Sequence, residues 1–136
     1  MSTIDWAALR TRALALTRLA YVPYSNYPVG AAALVDDGRI VAGCNVENAG
    51  YGVTLCAECG LIGELIAGGG GRLLAFCCLD ATGGLIMPCG RCRQLLWEHG
   101  GAELRVLTPL GVQSMAEVLP QAFDARSLTG QARQDG

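Results

Sequence analysis

Lysine is absent from this chain of 136 residues, histidine occurs once, and phenylalanine only twice. Charged residues make up 16% of the sequence, and its ten cationic side chains are all arginines, scattered rather than clustered. With a formal net charge of −2 there is no basic stripe to follow a polyanion, so no nucleic-acid partner is expected. The longest apolar runs are too short to span a bilayer, so no membrane partner is expected either. A basic start leading into an apolar stretch and a small-residue cleavage pattern is also missing, and the chain reads as soluble and cytoplasmic.

Hydrophobic residues, in contrast, make up 51% of the chain. The length fits one domain over 1–136 that buries its own core. So little charge on so small a body would leave apolar surface exposed, and subunit interfaces are therefore expected. Cysteine is abundant as well, at positions 44, 56, 59, 77, 78, 89 and 92. Paired thiols without an export pattern argue for metal or redox chemistry in a reducing compartment.

Two thiol-bearing segments organise the rest. Cys56-Ala57-Glu58-Cys59 and Pro88-Cys89-Gly90-Arg91-Cys92 each precede a run with apolar residues at helical spacing. A helix start favours negative charge through its unpaired N–H groups and macrodipole, which suits a thiolate. Cys89 and Cys92, three apart, share a helix face, and Cys56 supplies a third sulfur from the other helix. Three protein ligands leave a tetrahedral zinc ion one position for water, whose pKa the ion lowers toward neutrality. Glu58, two residues beyond Cys56, is a carboxylate placed to carry a proton without binding the ion.

Around these segments the chain reads as alternating elements. Ser2 followed by Asp5 predicts a helix start with a reciprocal cap, and the helix runs to about residue 19. Segment 21–28, with two prolines, is a loop carrying Tyr27. Residues 29–35 and 39–45 read as strands joined by the Asp36-Asp37-Gly38 turn. Asn45 and Glu47 then fall on one face of an extended segment, which fits either a polar strand end or a grip for hydroxyl groups. A second helix spans about 55–67 and stops at four glycines. Residues 73–79 form a continuous apolar strand, expected at the centre of a sheet, with Cys77 and Cys78 as core.

The third helix ends at His99-Gly100-Gly101, which puts the lone histidine at the far end from Cys89 and argues against a ligand role. Residues 104–107 and 111–114 predict a fourth and a short fifth strand, and 115–119 a small helix. The tail from Thr129 onward is polar and expected to fray. This order predicts an α/β fold: a mixed sheet of four to five strands with helices on both faces.

The Cys-Ala-Glu element followed by Pro-Cys-x-x-Cys resembles the cytidine and deoxycytidine deaminases, a pattern that belongs to zinc deaminases generally. Cys56 in the first ligand position makes it similar to their small homotetrameric branch with three cysteine ligands. The resemblance runs over most of the chain, from Tyr21 to Phe123. It implies a three-layer α/β/α fold, one zinc ion per subunit on Cys56, Cys89 and Cys92, and Glu58 as the proton carrier. It further implies a pyrimidine nucleoside substrate, deaminated to the uridine form with release of ammonia in pyrimidine salvage. The backbone near Ala57 would orient the base, Tyr27 would wall the pocket, and Asn45 and Glu47 would hold the 3′-hydroxyl of the ribose. Tyr51 would lie near the subunit contact, and Phe123 would close a pocket across a subunit boundary.

Two features depart from that pattern. Relatives usually carry arginine directly after the catalytic glutamate, where this chain has Cys59; Arg91 is the candidate to take over its charge balance at the sulfurs. Cys59 also opens a rival reading, a closed structural zinc on Cys56, Cys59, Cys89 and Cys92 with no catalysis, and a redox Cys-x-x-Cys protein is a further one. Among enzymes, blasticidin S deaminase shares Pro-Cys-Gly-Arg-Cys-Arg-Gln, but Asn45 and Glu47 favour ordinary nucleosides.

Overall fold

A computed structural model describes residues 3–129. Ser2 and the tail beyond Thr129 therefore lie outside the described residues. Helix α1 (Trp6–Thr17) begins later than expected, because Asp5 is itself the cap: its Oδ1 accepts from the Ala8 N–H at 3.0 Å. The helix also ends earlier, where Arg18 and Leu19 turn their N–H groups to Ala15 and Leu16 in a tightened last turn.

Strands β1 (Val29–Val35) and β2 (Ile40–Cys44) form the predicted hairpin, with Gly38 at φ +96° in its turn. A short helical turn, Tyr51–Val53, leads to α2 (Ala57–Ala67). That helix starts later than the sequence implied, because Leu55 is held extended by paired backbone bonds with Val46, each 2.9 Å. It stops at Gly68, and Gly69, Gly70 and Gly71 all take positive φ. Then follow β3 (Leu73–Asp80), α3 (Gly90–Gly100), β4 (Arg105–Thr108), β5 (Gly111–Ser114) and α4 (Met115–Val118). A last helical turn, α5 (Ala125–Leu128), has no counterpart in the sequence reading.

The five strands form one mixed sheet in the order β2-β1-β3-β4-β5. β3 runs antiparallel to β1 and parallel to β4, the connection to β4 passing through α3. As its apolar run predicts, β3 is central and covered on both faces. On one face Leu9, Ala13 and Leu16 of α1 pack against Ala32, Ala42, Cys77 and Leu79. On the other, Leu61, Leu65, Leu96 and Trp97 of α2 and α3 pack against Ala33, Val35, Phe76 and Cys78. The result is the expected three layers, helix, sheet and helix.

Two glycines set how closely the layers approach. A Cβ at Gly30 would stand 1.9 Å from the Ala13 carbonyl oxygen, and one at Gly43 would stand 2.3 Å from that of Ala57. Hydrogen at both positions lets α1 lie on β1 and the start of α2 lie on β2. Glu64 adds a polar tie on the second side, its Oε1 accepting from the Ala42 N–H at 3.0 Å.

Candidate active site

The first turns of α2 and α3 converge on one point. Cys56 is the cap residue of α2 and Cys89 that of α3, and neither side chain is spent on capping its helix. Their Sγ atoms lie 3.9 Å apart. Cys92, one turn into α3 and buried, completes a group whose three Sγ atoms all lie within 4.8 Å of one another. Around a tetrahedral zinc ion with bonds of about 2.3 Å, neighbouring sulfurs sit roughly 3.8 Å apart, so the spacing suits that ion.

The electrostatics fit a cation as well. Burial pushes the Cys56 and Cys92 thiols up; at Cys92 the Glu58 charge and the other two sulfurs add to the rise, while at Cys56 the Cys89 sulfur adds to it and hydrogen bonds from Cys92 and Arg91 act in the opposite sense. Cys89 is also penalised by burial, but the backbone N–H of Cys92 and hydrogen bonds from the surrounding thiols bring it below the usual thiol range. A divalent cation relieves this opposition to ionising all three. The residues present therefore fit zinc.

Glu58 occupies the first turn of α2 with 4% of its surface exposed, the one buried acid among the described residues. Burial raises its carboxyl above the ordinary range, and hydrogen bonds from its own backbone and from the Cys92 side chain act in the opposite sense. Ala57 beside it is buried. Cys59 does not join the three sulfurs. It faces Arg91, whose Nη2 stands 3.6 Å from Cys59 Sγ, 3.9 Å from Cys56 Sγ and 3.4 Å from the Thr54 carbonyl oxygen. His99 sits in the last turn of α3, about 15 Å along the helix from Cys89 at 1.5 Å per residue.

Asn45 and Glu47 both reach the loop of residues 21–28. Asn45 Nδ2 donates to the Tyr27 carbonyl at 2.9 Å while its Oδ1 accepts from the Val29 N–H at 2.9 Å. Glu47 Oε1 accepts from the Tyr24 and Ser25 N–H groups at 3.0 Å each, and the Ser25 hydroxyl donates to Oε2. The Ser25 hydroxyl is the first cause of a Glu47 pKa below the usual range. The Tyr27 ring is half exposed; Tyr51, at 80%, and Phe123, at 56%, stand out from the surface.

Three residues escaped the sequence reading. Ser25 is one. Arg93 donates from Nε to the Pro88 carbonyl at 2.8 Å and from Nη1 to that of Val118 at 3.0 Å, and Gln94 Nε2 donates to the Phe123 carbonyl at 2.7 Å. The Arg-Gln pair thus fastens the C-terminal segment to the helix that carries Cys92. Its only signal in the sequence is its place directly after that cysteine.

The family model for the cytidine and deoxycytidylate deaminase zinc-binding region matches residues 5–108, a stretch that holds the three sulfurs, Glu58, Asn45 and Glu47. A cytidine deaminase of Mycobacterium tuberculosis is 53% identical over 133 residues, covering 98% of this chain and 100% of the relative. One from Sporosarcina psychrophila is 40% identical over 120 residues, covering 85% and 88%. The crystal structure of the cytidine deaminase from Mycobacterium tuberculosis matches with a TM-score of 0.88 at 56% identity, over 90% of this chain and 99% of that one. That from Burkholderia pseudomallei matches with a TM-score of 0.79 at 40% identity, over 88% and 100%.

Proposed function

The chain belongs to the cytidine and deoxycytidylate deaminase family, and from that premise we propose that it hydrolyses cytidine and 2′-deoxycytidine to the corresponding uridines, releasing ammonia. The observation that carries this reading is the convergence of three thiols within 4.8 Å beside a nearly buried carboxylate. Cys56, Cys89 and Cys92 would hold the zinc ion, one per subunit. When bound, zinc acts as a Lewis acid and makes water a nucleophile at neutral pH.

Glu58 then handles every proton. Its carboxylate takes one from the water that attacks C4 and hands it to N3 of the base; it then takes the second from the new C4 hydroxyl and gives it to the amine, so that the C4–N bond breaks, ammonia leaves and the uridine carbonyl forms. Burial suits this cycle, because a carboxyl held above the ordinary range takes up a proton more readily than an exposed one. Ala57 lines the base subsite with its backbone, and Tyr27 walls it. Asn45 and Glu47 grip the 3′-hydroxyl of the sugar, an amide and a carboxylate together offering it both a donor and an acceptor. Arg91 offsets part of the charge of the three thiolates, which its closeness to Cys56 supports. The closed four-sulfur alternative requires Cys59 in the metal group, and its approach to Arg91 speaks against that.

The protein assembles as a homotetramer, a reading supported by the exposed Tyr51, Val53 and Phe123. Phe123 closes a neighbour's pocket, and Tyr51 lies near the subunit contact. One folded body over 1–136 and a reducing, cytoplasmic setting complete the proposal; all seven cysteines are free thiols. The test is the zinc-loaded protein with cytidine, followed by ammonia release. Turnover abolished by an inhibitor that displaces the attacking water supports the reading; zinc-loaded, folded protein without turnover refutes it.

A further inference from the structure

Four polar groups form a continuous chain of hydrogen bonds outside the metal centre. The Ser25 hydroxyl donates to Glu47 Oε2 and accepts from the Tyr27 N–H at 3.0 Å, and the Tyr27 carbonyl accepts from Asn45 Nδ2 at 2.9 Å. Because the Tyr27 N–H occupies a lone pair of the serine oxygen, the serine proton is left to point at the carboxylate. On Glu47, two backbone donors engage Oε1 and the serine hydroxyl engages Oε2. All three donors come from the loop of residues 21–28. A carboxylate has about four lone-pair sites, so Oε2 keeps one for a further donor, and its direction is fixed by the other three bonds.

We propose that Ser25 is a positioning residue for the sugar subsite: its hydroxyl fixes the Glu47 carboxylate so that the remaining lone pair meets the 3′-hydroxyl of the nucleoside. Ser25 touches neither the base nor the metal ligands in this assignment. It acts through Glu47, and through the Tyr27 backbone it ties the carboxylate to Asn45. The inference rests on the proposed grip of Asn45 and Glu47 on the 3′-hydroxyl. The lowered Glu47 pKa agrees with it, since the serine bond favours the ionised acceptor.

The experiment compares kcat/KM for cytidine and 3′-deoxycytidine in the zinc-loaded wild type, Ser25→Ala and Ser25→Thr. The wild type should prefer cytidine, and Ser25→Ala should lose about tenfold of that preference through KM, with its kinetics on 3′-deoxycytidine unchanged. Ser25→Thr, which keeps the hydroxyl, should retain the preference. An unchanged preference in Ser25→Ala, or equal losses on both substrates, would overturn the assignment. A wild type that treats the two substrates alike would instead refute the underlying grip on the 3′-hydroxyl. Zinc content and melting temperature establish that each variant is folded; if Ser25→Ala is not, Ser25→Cys, of similar size but a weak donor, takes its place with the same expected loss.

Discussion

Cys56 and Cys89 stand 33 positions apart in sequence, yet their sulfurs approach to 3.9 Å because each caps a helix that starts at the same point over the sheet. Two helix N-termini are thereby aimed at one charge cluster. Removing one sulfur should dismantle it: Cys89→Ser is expected to lower zinc content well below one per chain, and activity with it. Because the folded site binds the ion and the unfolded chain holds no such site, chelation of the wild type should also lower its melting temperature. Metal analysis beside calorimetry reads both. A variant that keeps stoichiometric zinc would show that the ion is held elsewhere.

Glu58→Gln separates the proton transfer proposed for this residue from the fold. The amide keeps shape and hydrogen bonding and cannot move a proton, so turnover should fall by at least about 10² while zinc content and melting temperature hold. Burial already disfavours the charged form at this position, and a neutral amide should therefore not destabilise the helix start. Single-turnover assays on the zinc-loaded variant give the rate; near-normal turnover would remove Glu58 from the chemistry.

Much of this site is legible in the sequence because its parts are local. A cysteine at the head of a helical pattern, with an acid two residues on, shows in the linear order, and so do the Gly38 turn and the continuous apolar run of β3. Contacts to backbone groups are not legible. Arg93 and Gln94 meet carbonyls, which every residue has, and the bond from Ser25 to Glu47 spans 22 positions without any periodicity. Helix ends show the same limit. Ser2 and Asp5 are both good caps, and the bond from the Ala8 N–H to Asp5 decides between them. The turn α5 has only four residues, too few for a hydrophobic repeat.

Arg91 and Cys59 offer a paired prediction. The guanidinium approaches both Cys59 and Cys56, but only Cys56 belongs to the three-sulfur group. Arg91→Ala should lower kcat several-fold with the fold retained, because three thiolates on a dication leave net negative charge that opposes activation of water. Cys59→Ser should retain zinc and most activity. Zinc lost from Cys59→Ser would place its sulfur on the ion and revive the closed site.

The loop carrying Tyr27 should respond to acid. Glu47 has a depressed pKa, for which the Ser25 hydroxyl is the first cause, so its contribution is present above the pKa of the unfolded chain and is lost as pH falls through the folded value. The Tyr24 and Ser25 N–H groups, bonded to that carboxylate, should then lose protection from hydrogen exchange on acidification, before the core strands do. Exchange followed at successive pH values below the carboxylate range checks this. Protection that stays constant while Glu47 protonates would show that the loop is held by other bonds.

Gly43 and Gly63 separate close packing from helix propensity, since one lies under α2 and the other on its exposed side. A Cβ at Gly43 would stand 2.3 Å from the Ala57 carbonyl oxygen and 2.5 Å from the Leu61 nitrogen, both backbone atoms that move only if the helix moves. At Gly63 a Cβ meets nothing within 4 Å. Gly43→Ala should therefore destabilise the protein by about 1–3 kcal/mol and push away the turn that bears Cys56 and Glu58, so that kcat falls as well. Gly63→Ala should stabilise it by about 0.5–1 kcal/mol, because alanine is the better helix former, and leave kcat unchanged. Denaturant unfolding and steady-state kinetics on the two variants give opposite signs in stability if α2 is set against the sheet by that one missing methyl group; equal effects would mean that the helix start is positioned by something other than its approach to β2.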